Sequence, residues 1–198
     1  MKFLKKINLP TKFTLLRMIL VPVLLVFMVI EELFGSDSVP RIISAAVFAI
    51  CALTDFLDGY IARKKDMVTD LGKFLDPIAD KLLILCTMMA FCASPVYEYL
   101  HLWAFIAGVL VLMRELIVTS LRLLMAGKNT VIAASWHGKC KTVSQTVFVL
   151  VAILEPVIHD PEYVLTYVAL AVMAVMTVFS GILYLEQYLP VIMEDQKK

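Results

Sequence analysis

Four aspartates, Asp55, Asp58, Asp76 and Asp80, fall in the stretch TDFLDGYIARKKDMVTDLGKFLDPIADKLL. Read on helices, Asp55 and Asp58 are three apart and share a face, and Asp76 and Asp80 are four apart and share another. Gly59 lies one turn beyond Asp55, Ala62 one turn beyond Asp58, and Gly72 one turn before Asp76. A hairpin through RKKDMVTDLGKF lets the two faces meet. Four carboxylates at close quarters repel one another and do not all ionise unaided. Two divalent cations would cancel their charge, and oxygen-only ligation, with no His or Cys, suits the hard ions Mg²⁺ or Mn²⁺. A lone intramembrane aspartate is commonly a helix–helix hydrogen bond or an ion-pathway residue. Four in this arrangement point to a metal-dependent site.

Other catalytic templates drop out. Cys51, Cys86, Cys92 and Cys140 lack metal-ligand spacing and read as small core residues. His101, His137 and His159 are scattered, and no nucleophile triad or glycine-rich phosphate loop is present.

The elements that must carry the aspartates are helices in lipid. With 61% hydrophobic and 18% charged residues, the composition is that of a polytopic membrane protein in one domain, 1–198. Six apolar runs are long enough to cross a bilayer, near Phe13 to Phe34, Pro40 to Ala62, Phe74 to Ala93, Leu100 to Gly127, Trp136 to Ile158 and Tyr163 to Leu185. The expected fold is all-α with six transmembrane helices. Asp76, Pro77, Asp80 and Lys81 require part of the third to face protein or water. Residues 1–10, with lysines among Phe3, Leu4, Ile7 and Leu9, read as a short amphipathic interfacial helix on anionic lipid. Arg17 and the lack of a small-x-small cleavage site argue against a signal peptide. Basic residues favour one face, while Glu31, Glu32, Asp37, Glu98, Glu155, Asp160 and Glu162 gather at the other. The positive-inside rule then puts both termini and the aspartates on the cytoplasmic side of the cell membrane.

The run Asp55-x-x-Asp58-Gly59-x-x-Ala62-Arg63, followed after eight residues by Gly72-x-x-x-Asp76-x-x-x-Asp80, resembles the signature of the CDP-alcohol phosphatidyltransferase family, with all eight fixed positions present. The resemblance implies a six-helix membrane enzyme, usually a homodimer, that moves a phosphatidyl group from a CDP-linked lipid to an alcohol and releases CMP. It implies that Asp55, Asp58 and Asp76 are metal ligands, with two ions per site. Asp80 is then a ligand of the second metal or the general base for the incoming hydroxyl. Gly59 and Ala62 lack bulk, so a nucleotide can approach the backbone. Arg63 suits a phosphate, or with Lys64 and Lys65 it anchors the cytoplasmic side. Asn8 and Thr11, with Arg17, are expected to help close the CDP-lipid pocket, and Gly72 to border it.

Three more stretches, NLPTKFTLLRMILVP, MRELIVTSLR and GKCKTVSQ, resemble the branch of this family that makes phosphatidylglycerol phosphate. That implies CDP-diacylglycerol as donor and sn-glycerol 3-phosphate as acceptor, with no nucleic-acid partner. Arg114, thirteen residues before Gly127 and about 20 Å along a helix, faces a cavity or pairs with an acid such as Glu115. With Arg122, Lys139 and Lys141 it forms a candidate site for the acceptor phosphate. Other acceptors, namely phosphatidylglycerol, serine or inositol phosphate, stay open. A cation or proton transporter is disfavoured because the carboxylates lie at one face and no internal repeat is seen.

Overall fold

The computed structural model describes residues 8–29, 38–64, 69–127, 136–158 and 162–193. Its long elements are α1 (Leu9–Val29), α2 (Ser38–Lys64), α3 (Asp70–Ala93), α4 (His101–Gly127), α5 (Trp136–Ile158) and α6 (Val164–Met193), with a 3₁₀ turn at Pro95–Leu100. No strand occurs among the described residues.

Local chemistry sets several helix ends. Thr69 is the N-cap of α3, its hydroxyl accepting from Gly72 N at 3.1 Å, which satisfies one of the free amides of the first turn. Pro95 opens the 3₁₀ turn, where its missing N–H costs nothing. Glu155 near the end of α5 caps α6: its carboxylate accepts from Leu165 N at 2.9 Å and from Thr166 N and Oγ1 at 2.6 Å each. An acid at a helix N-terminus is favoured by the dipole, and here it also ties two helices together.

The helices pack as a ring. α1 lies against α2 and α3, α3 against α4, α4 against α6, α6 against α5, and α5 closes the circle on α2. Phe91 of α3 joins the inside of the ring, meeting Tyr97 edge-on at 4.9 Å and Phe148 of α5 at 5.9 Å. Small residues allow close contact where α3 meets α4. A Cβ on Gly108 would lie 3.3 Å from Met88 Cβ, the kind of approach that drives association when lipid removes the hydrophobic force between helices.

The outer surface is apolar, with residues such as Phe74, Met89 and Leu123 well exposed. Among the described residues, five stretches are long and apolar enough to cross a membrane: Thr11–Val29, Ser38–Asp55, Pro95–Met125, Trp136–Ile158 and Val164–Leu189. The protein is therefore a helical membrane protein with five such spans among its described residues; the sixth expected span, on α3, is not among them. α3, at 24 residues, is long enough, but Asp76, Asp80 and Lys81 in its N-terminal half keep it out of this set. The expected interfacial helix spans residues 1–10. Residues 1–7 lie outside the described part, and Leu9 and Pro10 belong to α1 itself. Both chain ends also lie outside the described residues.

Candidate active site

The apolar part of α2 ends at Asp55, and the helix runs on to Lys64. Asp55, Asp58, Gly59, Ala62 and Arg63 therefore all lie on continuous α-helix, as the spacing argument requires. The side chains of Asp58, Ala62 and Arg63 fall outside the described part. On α3, Gly72, Asp76 and Asp80 follow the Thr69 cap in successive turns.

α1 positions both sets of aspartates through a polar stripe on an apolar helix. Thr11, Thr14 and Arg17, three residues apart in turn, are buried to 2% exposure or less and share one face. Arg17 Nη1 is 2.5 Å from Asp55 Oδ1. Thr14 Oγ1 donates to Asp76 Oδ1 at 2.6 Å. Thr11 Oγ1 lies 3.1 Å from Thr69 Oγ1, the α3 cap. One helix thus holds Asp55 of α2, Asp76 of α3 and the start of α3. Asn8 precedes the stripe, and its carbonyl accepts from Lys12 N. Gly72 has a packing role beside its expected place at the pocket: a Cβ there would lie 3.1 Å from Thr69 Oγ1 and 3.2 Å from Thr11 Oγ1.

Among the described residues no three His, Cys, Asp or Glu side chains group closely enough to hold a metal ion. Asp58 is not among the side chains described. The donor chemistry of Asp55, Asp76 and Asp80 is all oxygen, which fits a hard divalent ion rather than a soft one.

The proposed acceptor cations separate into two groups. Arg114 and Lys141 converge on Glu115 Oε1, at 2.9 Å and 2.7 Å, and Arg114 Nη2 donates to Ser180 Oγ at 2.7 Å. This cluster joins α4, α5 and α6, and all three ionic groups are buried. Arg114 is thus both deep and paired with Glu115. Arg122 is exposed and makes no described ion pair with the cluster, yet it shares Tyr184 with Arg114: it donates to Tyr184 OH at 3.1 Å, and the guanidinium carbons of Arg122 and Arg114 lie 5.6 Å and 5.4 Å from the centre of that ring. Lys139 is exposed, and no described hydrogen bond or ion pair joins it to the cluster. Asp80, half-buried on α3, lies within electrostatic reach of Asp55, Lys141, Glu115 and Arg17.

Sequence reasoning missed Thr14, Thr69, Ser180 and the hub role of Glu115. The signal for Thr14 was available: a hydroxyl midway between Thr11 and Arg17 continues a polar stripe in an otherwise apolar helix. Nothing in the sequence marked Ser180 as the partner of Arg114, 66 positions away.

A ring of apolar helices, with Arg17 and Thr14 of one helix bonded to the motif aspartates Asp55 and Asp76 of two others, defines an integral membrane protein with a polar cluster among its helices. The family model described as CDP-alcohol phosphatidyltransferase matches residues 7–180, and the chain belongs to that family of transferases. It is 35% identical to the CDP-diacylglycerol--glycerol-3-phosphate 3-phosphatidyltransferase of Bacillus subtilis, over 88% of this chain and 91% of that one. Proteins with the same name from Salmonella choleraesuis and Haemophilus influenzae are 36% and 35% identical, over 90% and 91% of this chain and 93% of each relative.

Proposed function

We propose that the protein transfers the phosphatidyl group of CDP-diacylglycerol to sn-glycerol 3-phosphate, giving phosphatidylglycerol phosphate and CMP. The observation that carries this reading is the match, along nearly the whole chain, to relatives named for that donor and acceptor. The complete aspartate motif on α2 and α3 supports the chemistry.

The acceptor hydroxyl attacks the phosphatidyl phosphorus. A new O–P bond forms, the P–O bond to CMP breaks, and the hydroxyl proton passes to a carboxylate, for which Asp80 is our choice. Asp55, Asp58 and Asp76, with Asp80 at the second position, would hold Mg²⁺ or Mn²⁺, two per site. When bound, such ions neutralise the pyrophosphate and steady the leaving oxygen. Arg17 gives Asp55 a fixed orientation, and Thr14 does the same for Asp76. Gly59, Ala62, Arg63, Gly72, Asn8 and Thr11 border the CDP-lipid. Arg114 and Lys141 offer the acceptor phosphate a cationic end beyond Asp80, with Arg122 and Lys139 nearer the exposed surface. The site faces the cytoplasm of the cell membrane, both termini lie on that side, the N-terminal lysines meet anionic lipid, and the enzyme works as a homodimer.

The test is an acceptor panel with purified protein, CDP-diacylglycerol and Mg²⁺, with lipid products resolved. Phosphatidylglycerol phosphate should form from glycerol 3-phosphate, and a preference for serine, inositol phosphate or phosphatidylglycerol would reject the acceptor assignment.

A further inference from the structure

Gln145 of α5 is 1% exposed, yet neither its amide oxygen nor its amide nitrogen has a hydrogen-bond partner among the described residues. Buried amides are nearly always paired, so a wholly unpaired one calls for a reason. Its surroundings supply a candidate. Gln145 lies one turn beyond Lys141 on the same face of α5, and Lys141 is bonded to Glu115. Thr177 of α6, 1% exposed, has an unpaired hydroxyl, and it lies one turn before Ser180, the partner of Arg114. Arg114 Nε is unpaired as well. Side chains from α4, α5 and α6, each within a turn of one ion cluster, thus carry unused donors and acceptors.

The chemistry of these groups is specific. Arg114 and Lys141 against Glu115 leave one positive charge in excess, which suits an anion. The amide and the hydroxyl are neutral and can each donate and accept, which suits an alcohol. A ligand that is a phosphate at one end and a polyol along its length satisfies both. Glycerol 3-phosphate has two hydroxyls, one that reacts and one that does not. We propose that Gln145, together with Thr177 of the adjoining helix α6, binds the non-reacting hydroxyl of the acceptor and so sets the preference for a glycerol phosphate over a simple hydroxyalkyl phosphate. This rests on the acceptor reading above.

The experiment compares two acceptors in wild-type protein, Gln145→Met and Thr177→Val. One acceptor is glycerol 3-phosphate, and the other is 3-hydroxypropyl phosphate, which has the same three-carbon chain without the middle hydroxyl. Wild type should use the analogue with kcat/KM lower by about tenfold to a hundredfold, the size of one or two buried hydrogen bonds. Gln145→Met should lower kcat/KM for glycerol 3-phosphate by about tenfold or more, leave the analogue nearly unchanged, and not lower the thermal midpoint. Thr177→Val should act in the same direction, and it decides the matter if Gln145→Met does not fold. Equal use of both acceptors by wild type overturns the proposal whatever the variants do. So does an equal loss on both acceptors, or a raised midpoint with unchanged preference, which marks an amide paired only with water. Transfer to neither acceptor, with transfer to another alcohol, overturns the acceptor reading itself.

Discussion

Charged side chains inside this protein are arranged unequally, and that inequality is testable residue by residue. Glu115 serves two buried cations, whereas Arg114 and Lys141 each serve one anion. Removing one partner of a buried pair is costly because the other charge is left behind, about 3–5 kcal/mol. Glu115→Gln leaves two cations without their shared anion, whereas Lys141→Met leaves Glu115 still paired with Arg114. Glu115→Gln should therefore lower the thermal midpoint in detergent further than Lys141→Met. Equal falls would contradict the hub role. The same logic applies at Asp55, whose side chain is 37% exposed while that of Arg17 is fully buried. Asp55→Asn removes an anion from beside a buried cation, whereas Arg17→Met leaves a carboxylate that water can reach. The midpoint should fall further for Asp55→Asn, although both variants should lose most activity. A smaller fall for Asp55→Asn would show that the pair does not govern the stability of Arg17.

At the level of elements, the brace between α1 and α3 depends on Gly72. A Cβ there would press on Thr69 and Thr11 together, so Gly72→Val must part the two helices or break the cap. Overpacking of this kind typically costs about 1–3 kcal/mol. Because Thr14 and Asp76 lie along the same contact, activity should fall more than the loss of stability explains. The check is to compare activity with the fraction folded at one temperature, and a proportionate fall of the two would contradict the brace. Much of this level could be read from the sequence. The α5 bounds agree with the apolar run from Trp136 to Ile158, and all six long helices were expected. The ends were less visible where polar residues are helical because a protein face covers them. α1 begins at Leu9, ahead of the expected Phe13, because Thr11 and Thr14 are buried against α3. α3 begins at Asp70, ahead of the expected Phe74, because Thr69 caps it. The motif aspartates were legible because their spacing is local to two helices. Their supports were not, since Arg17 meets Asp55 across 38 positions and Thr14 meets Asp76 across 62.

For the whole molecule, the charge distribution predicts which end of the ring faces the cytoplasm. Cysteine placed at Lys139 should react with an impermeant reagent from the cytoplasmic side only, and cysteine at Glu162 from the opposite side only, in a background lacking the native cysteines. The reverse pattern would invert the orientation. The central claim is that this ring joins two substrates at one carboxylate site, and counting both products in one reaction tests it most directly. Purified protein in detergent is given CDP-diacylglycerol, Mg²⁺ and radiolabelled glycerol 3-phosphate, and CMP and labelled lipid are measured together. One CMP should appear for each labelled lipid, with neither formed when the acceptor is omitted or when Asp80→Asn replaces the wild type. CMP released without acceptor, or released with no label entering lipid, would contradict the account.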